Sequence, residues 1–213
     1  MSKIYFQGIY GAYSHLAALS LEKDAEIIPC KTFDDCFINA SKEANSKIII
    51  PESNRITGNI GIEYLIFKYR LNIYAECFQK IEHNLLGLPG TRVEDIKNIY
   101  SHAQALSQCS KFIKTNNLIE HVRADTAGSA KMVSKSKDKD KAAIASSLSA
   151  KIYDLEIIKS NIENESENLT RFLVMGKNIS QPNFGKKKYI TSFLFKLKSK
   201  PAALYQSLGG FAI

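Results

Sequence analysis

The chain has 213 residues, 45% hydrophobic and 23% charged, which excludes disorder, coiled coil and collagen as the main state and calls for no disulfide or metal staple. No apolar run approaches the roughly 18 residues of a membrane span, and Met1 to Ala17 lacks the basic-then-apolar pattern of a secretory signal, so a cytoplasmic protein of one or two domains is expected. The 29 Lys and Arg against 21 Asp and Glu give a net charge of +8, an excess compatible with nucleic acid, an anionic membrane, a small anionic substrate or simply a Lys-rich proteome.

Lys3–Gln7 reads as a strand, closed by the turn Gly8 to Gly11, and Ser14 to Leu21 as a helix. Glu26–Cys30 is a strand, and Thr32 is placed to cap a helix over Phe33–Glu43. Lys47–Ile50 reads as a buried strand ended by Pro51. A helix over Gly61–Tyr69 precedes strands over Leu71–Lys80 and His83–Leu88, with a turn at Pro89-Gly90. Val93–Ile96 opens a further unit, with a strand at Ile99–Tyr100 and one helix over Ser101–Asn116. Strands over Glu120–Arg123, Ala142–Ala145 and Glu156–Ile162 alternate with helices over Thr126–Ser136 and Ser147–Tyr153. Thr170–Met175 is a last strong strand of this region. The alternation predicts an α/β class with largely parallel sheets. Gly176–Lys188, rich in Asn, Gln, Pro and Lys, reads as a linker; a strand over Tyr189–Leu197 and a helix with Pro201 in its first turn follow it.

Cys30, Cys36, Cys77 and Cys109 have no CxxC spacing and read as free thiols, and the four histidines show no HxH or HExxH. No Walker A or GxGxxG motif is present, and the densest Lys cluster, Lys131 to Lys141, is interleaved with Asp138 and Asp140. Neither metal, nucleotide cofactor, nucleic acid nor membrane is therefore expected as a partner. At three junctions, Gly11 to Ser14, Ser101 to Gln104 and Asp125 to Ala127, a strand runs into a short segment that starts a helix. Free N–H groups at such starts attract anions, and several on one crevice would suit a ligand with two carboxylates. Ser101 and Asp125 are equally readable as ordinary N-caps.

Ordered blocks along the chain resemble the prephenate dehydratase family. They are Phe6-Gln7-Gly8 to Ala18, Pro51 to Gly58, Ser101-His102-Ala103-Gln104-Ala105-Leu106-Ser107-Gln108-Cys109, Ala124 to Ala130, Ala142 to Ser146, and Asn168-Leu169-Thr170-Arg171-Phe172-Leu173-Val174. The resemblance implies a two-lobed catalytic domain like periplasmic binding proteins (type II), with the site in the cleft. Lobe one would be residues 1–74 plus 163–176, lobe two residues 75–162, with a linker over 177–187. Residues 188–213 would be the first strand and helix of an incomplete ACT regulatory domain. Within it Ala202, Ala203 and Leu204 resemble the family's effector loop, with Ala202 where glycine is usual. An L-phenylalanine effector is implied only for a complete ACT domain.

The implied enzyme is a carbon–oxygen hydro-lyase converting the prephenate dianion to phenylpyruvate, water and CO2 in L-phenylalanine biosynthesis, without a cofactor and commonly as a homo-oligomer. Arogenate dehydratase and a non-catalytic small-anion binding module on the same scaffold are the alternatives. The resemblance makes Thr170 the candidate proton donor to the leaving hydroxyl, or a group that only hydrogen-bonds it. Asn54, Ser101 and Gln108 match the family's catalytic polar positions, and a helix from Ser101 would put Ser101 and Gln108 on one face. Tyr13, Ser14, Thr126 and Phe172 are candidate substrate contacts, and Arg171 would bind a carboxylate or brace the cleft. His15 and His102 read as capping or packing groups. One block departs from the family pattern Pro-x-Glu-Asn-Ser-x-x-Gly: here Ser53 and Arg55 flank Asn54, and Glu52 sits one position early. Arg55 then becomes a candidate for holding the dianion.

Overall fold

The computed structural model describes residues 2–177 and 195–211. The chain divides into two units, Met1–Ser180 and Gln181–Ile213.

The first unit is an α/β structure built on two sheets. In the first sheet, β1 (Lys3–Gln7), β2 (Glu26–Cys30), β3 (Ser46–Asn54), β5 (Asn72–Lys80) and β11 (Leu169–Gly176) run in the order β2-β1-β3-β11-β5, and the short β4 (Gly58–Asn59) pairs with β3. The second sheet contains β6 (Asn84–Gly87), β7 (Asn98–His102), β8 (Ile119–Arg123), β9 (Lys141–Ala145) and β10 (Glu156–Lys159), in the order β10-β6-β9-β7-β8.

The inner strands are apolar on both faces because helices cover both. Ile4, Phe6, Ile49, Phe172 and Val174 pack with Ala17 and Ala18 of α1 (Tyr13–Leu21). The alternate residues Tyr5, Ile48, Ile50, Leu173 and Met175 pack with Cys36, Phe37 and Ala40 of α2 (Phe33–Lys42) and Leu65 of α3 (Glu63–Tyr69). In the second sheet Leu85, Ile99 and Ile144 face α4 (Ala103–Gln108) and α5 (Ser110–Thr115). Leu86, Tyr100, Ala143 and Ala145 face Ala130 and Val133 of α6 (Thr126–Ser136) and Ala150 of α7 (Ser147–Ile152).

The sheets are mixed, not largely parallel. β3–β11, β11–β5, β6–β9 and β6–β10 pair antiparallel, while β1–β2, β1–β3, β7–β8 and β7–β9 are parallel. Alternation of strand and helix reports no strand direction when the chain leaves a sheet and returns to it. The chain leaves the first sheet after Lys80, not at residue 74, and returns at Leu169. The two passages bond to each other, Ile81 N–H to Asn168 O at 2.8 Å and Ile162 N–H to His83 O at 2.9 Å.

Three other local expectations change. β3 runs through Pro51 to Asn54. The register with β11 shifts between Arg171 and Phe172, so Pro51 faces Phe172 and Glu52 is the extra residue of a bulge, a setting that tolerates proline's missing N–H. The helix expected over 101–116 is two helices joined at Cys109, and Ser101 and His102 belong to β7. Thr32 caps α2 as expected, its side chain accepting from Asp35 N–H while Asp35 accepts from Thr32 N–H.

In the second unit the expected strand over 189–197 lies mostly outside the described residues, and Phe195–Leu197 carry no strand. Most of the expected linker also lies outside them. The helix α8 spans Ala203–Gly209, so Pro201 lies before it and not in its first turn. Ala202 is its N-cap at φ 59°, in the left-handed region that favours glycine.

Candidate active site

A cavity of about 410 Å3 lies between the two sheets. It is lined at the carboxyl ends of β1, β3 and β7 by Gln7, Asn54 and His102, at the first turns of α1 and α6 by Tyr13, Ser14 and Thr126, and by Thr170 where β11 begins. Strand carboxyl ends are where open α/β sheets bind ligands. The loop before α1 is locked against the other lobe. Gly11 O accepts Ser146 Oγ at 2.6 Å and Ser149 Oγ at 2.9 Å. Gly11 has φ +93°, and a Cβ there would meet Ser149 Oγ at 2.6 Å, so only glycine fits this close approach.

Seven of the ten candidate catalytic and substrate-binding residues meet in the cavity: Tyr13, Ser14, Asn54, Gln108, Thr126, Thr170 and Phe172. Ser101, Arg55 and Arg171 are not among its lining residues. Ser101 is fully buried in β7 and donates to Ile144 O at 2.7 Å. It shares no helical face with Gln108, because β7 continues to His102 in pairing with β8. Arg55 lies just after β3, where its exposed guanidinium meets exposed Glu167 at 2.7 Å. Such a pair contributes about 0–1 kcal/mol. Ala202, Ala203 and Leu204 lie in the second unit.

Arg171 is excluded by strand alternation, which sends it to the sheet face opposite Thr170 and Phe172. There its Nε donates to Glu76 Oε2 at 2.7 Å, and its Nη1 stands 3.4 Å from Glu52 Oε2. The bulge at Glu52 thus delivers the displaced carboxylate to Arg171 and not to the cavity. Arg171→Met should lower the unfolding free energy by about 1–3 kcal/mol by leaving two carboxylates unpaired, less than a fully buried pair would lose because these side chains keep some access to water. Its effect on KM should stay within about twofold; a tenfold rise in KM with unchanged denaturation would return Arg171 to the substrate.

A chain of side-chain amides crosses the cavity floor from one lobe to the other. Asn54 Nδ2 donates to Thr170 Oγ1 at 2.8 Å and to Asn168 Oδ1 at 2.7 Å. Asn168 Nδ2 donates to Gln108 Oε1 at 2.9 Å, and His83 Nε2 lies 2.7 Å from the same oxygen. His83 Nδ1 is 2.9 Å from the Tyr13 hydroxyl. The orientation of Asn54 is dictated by the backbone, since its Oδ1 accepts the N–H groups of Ile56 at 3.0 Å and Thr57 at 3.2 Å. Its NH2 must therefore face Asn168 and Thr170. Thr170 Oγ1 is an acceptor in that bond, which leaves its own hydrogen to donate into the cavity.

Burial disfavours the charged forms of Tyr13, His83 and the neighbouring His15. It pushes the Tyr13 phenol well above its ordinary range, so Tyr13 stays a protonated donor. It lowers His83, against smaller upward contributions from the Gln108 bond and from Glu163, and it lowers His15. His15 stacks on Phe6 and accepts Gly11 N–H at 3.0 Å, and His102 caps α4 by accepting Gln104 N–H at 3.3 Å. Asp125 also lines the cavity, and its Oδ1 caps Gly128 N–H. Among the described lining residues there is no Lys or Arg. The first turn of α1 has no side-chain cap, so its N–H groups and dipole remain to attract a carboxylate. Among the described residues no group of three His, Cys, Asp or Glu stands close enough to hold a metal ion.

His83 and Asn168 were not singled out from the sequence as site residues. Asn168 had a signal, because it precedes β11 by one residue and Thr170 by two, the spacing that puts side chains on one side of an extended chain. His83 had none, because it joins the site only through the passage between the sheets.

A family model described as prephenate dehydratase matches residues 4–180. "Arogenate dehydratase/prephenate dehydratase 1, chloroplastic" of Arabidopsis thaliana is 40% identical over 214 residues, covering 99% of this chain and 54% of that protein. A "Bifunctional N-acyl-homoserine lactone acylase/prephenate dehydratase" of Komagataeibacter europaeus is 34% identical, covering 98% of this chain and 75% of that protein. In fold the chain matches the crystal structure of a prephenate dehydratase from Arthrobacter aurescens, with TM-score 0.85 and 22% identity, covering 99% of this chain and 72% of that one. The chain spans about half the length of the plant relatives it matches.

Proposed function

Because the chain belongs to the prephenate dehydratase family, we propose that it is a hydro-lyase that converts prephenate to phenylpyruvate, water and CO2. The observation that carries this reading is the Asn54–Thr170 hydrogen bond, with Asn54 as the donor. The ring carboxylate leaves as CO2, its bonding electrons enter the ring, and the C–O bond to the ring hydroxyl breaks. Thr170 gives its proton to that hydroxyl, which departs as water. The Asn54 N–H steadies the charge left on Oγ until solvent returns the proton. Aromatisation drives the step, so positioning is most of what the protein supplies. The uncapped first turn of α1, with Tyr13 and Ser14, and the start of α6 at Thr126 hold the carboxylates, while Phe172 packs against the ring.

Arogenate is the second reading, and Asp125 favours it. A cavity lined by one carboxylate and no described Lys or Arg suits a substrate carrying an ammonium group. The names of several relatives also carry arogenate. A reducing compartment such as the cytoplasm is proposed for the reaction, in keeping with four unpaired cysteines, of which Cys36 and Cys109 are held protonated by burial. The test is incubation with each acid at neutral pH, following phenylpyruvate or phenylalanine. Turnover of at least one is expected, and turnover of neither overturns the reading.

A further inference from the structure

We propose that His83 is a positioning residue for this reaction: its Nε2–H holds the Gln108 side-chain oxygen, committing the Gln108 NH2 to the cavity and anchoring the far end of the amide chain that reaches Thr170. The inference rests on the reading of Thr170 as proton donor.

Each link is forced by the one before it. The backbone N–H groups of Ile56 and Thr57 fix Asn54 Oδ1 as an acceptor, so Asn54 Nδ2 spends both hydrogens on Asn168 Oδ1 and Thr170 Oγ1. Asn168, itself fully buried, then has only its NH2 to offer Gln108, at 2.9 Å. Gln108 Oε1 is therefore an acceptor, and the ring nitrogen 2.7 Å from it must carry a hydrogen. His83 Nε2 is that atom. With both lone pairs of Oε1 engaged, the Gln108 NH2 makes no hydrogen bond to another described residue and is left to the cavity that Gln108 lines.

The other side of the ring accommodates either protonation state. The Tyr13 hydroxyl lies 2.9 Å from both His83 Nδ1 and Glu82 O. With a neutral ring, Tyr13 donates to Nδ1. With a charged ring, Nδ1–H donates to Tyr13 and Tyr13 donates to Glu82 O. Nε2 carries its hydrogen in both states, so titration of His83 leaves the direction of the chain unchanged. The backbone is held as well, His83 N–H donating to Glu163 Oε2 at 2.9 Å. Both ring nitrogens are engaged by protein and the residue is 3% exposed. His83 borders the cavity, but with both ring nitrogens engaged by protein it acts through Gln108.

The experiment is a comparison of His83→Leu, which keeps bulk without a donor, and His83→Gln, which returns an NH2 near Nε2. Misplacement of a reacting group by about 1 Å costs up to about 100-fold. H83L should lower kcat by about 10–100-fold with KM within about threefold, and H83Q should recover most of the loss. Two-bond 15N–1H correlations on the wild-type protein should show His83 protonated at Nε2, whether or not H83L folds. An Nδ1–H tautomer, an H83L with wild-type kcat, or an H83Q no better than H83L overturns the inference alone. A wild-type chain inert towards both acids overturns the underlying reading, and this inference with it.

Discussion

Thr170→Val should lower kcat by about 10²–10⁴-fold, the range that a positioned acid contributes, with KM changed little. Valine matches threonine in shape but removes the one hydroxyl in the cavity whose oxygen is already engaged by Asn54 and whose hydrogen is left to donate. The folded state loses the Asn54–Thr170 bond and leaves one Asn54 N–H without its acceptor, about 1–3 kcal/mol, so denaturation separates a catalytic loss from an unfolded protein. Thr170→Ser keeps the hydroxyl and the acceptor geometry and should hold activity within about tenfold of wild type. Thr170→Val with near-wild-type turnover of both acids would remove Thr170 from the chemistry.

Asn54→Asp should lower kcat by about 10²–10³-fold at neutral pH, for a different reason. One carboxylate oxygen can still accept from Ile56 and Thr57, but the other would face Asn168 Oδ1 and Thr170 Oγ1, both acceptors in the native bonds. Relief comes when Thr170 turns its hydrogen toward the new carboxylate, which takes the proton out of the cavity. The same change should cost about 1–3 kcal/mol of stability, because a buried oxygen of Asn168 loses its donor. The pH dependence distinguishes this account from simple disruption. The carboxylate oxygen that replaces the Asn54 NH2 has only acceptors before it, which disfavours its charge, and protonating that oxygen restores a donor there. The activity of N54D relative to wild type should therefore rise as pH falls. A flat ratio over the range in which both proteins stay folded would contradict the account.

The sequence carries some of this site and withholds the rest, for reasons that differ by residue. Continuous apolar runs, whose successive side chains alternate between two buried faces, made β1, β3 and β11 legible, because helices cover both faces of each strand. The same alternation argued against placing Arg171 beside Thr170, since neighbours on a strand face opposite ways; family resemblance drew Arg171 toward the substrate, and the ion pairs with Glu52 and Glu76 place it elsewhere. Ser101 was misplaced because a Ser-His pair before an alanine-rich stretch reads as a helix start, whereas pairing of β7 with β8 extends the strand through His102. Glu52 had no readable position, because a bulge depends on the register with a strand about 120 residues away. His83 enters through the passage between lobes, which nothing local to Glu82 or Asn84 encodes. Strand direction was invisible for the same reason: β11 is antiparallel to β3 because of where the chain has been in between.

The place of β11 also sets an order of events during synthesis. It lies between β3 and β5 and bonds to both, yet it is made only after the whole of the second sheet has been translated. Until then β3 and β5 lack their shared neighbour and keep unpaired edges, a state prone to wrong association. The second sheet, by contrast, is drawn from one uninterrupted stretch, residues 84–159, and can close while the ribosome is still reading the rest. The first lobe then finishes last, by insertion of one late strand between two waiting ones, a pairing of high sequence separation and hence slow. Thr170 rides on that strand, so the cavity acquires its hydroxyl only at the step that completes the domain.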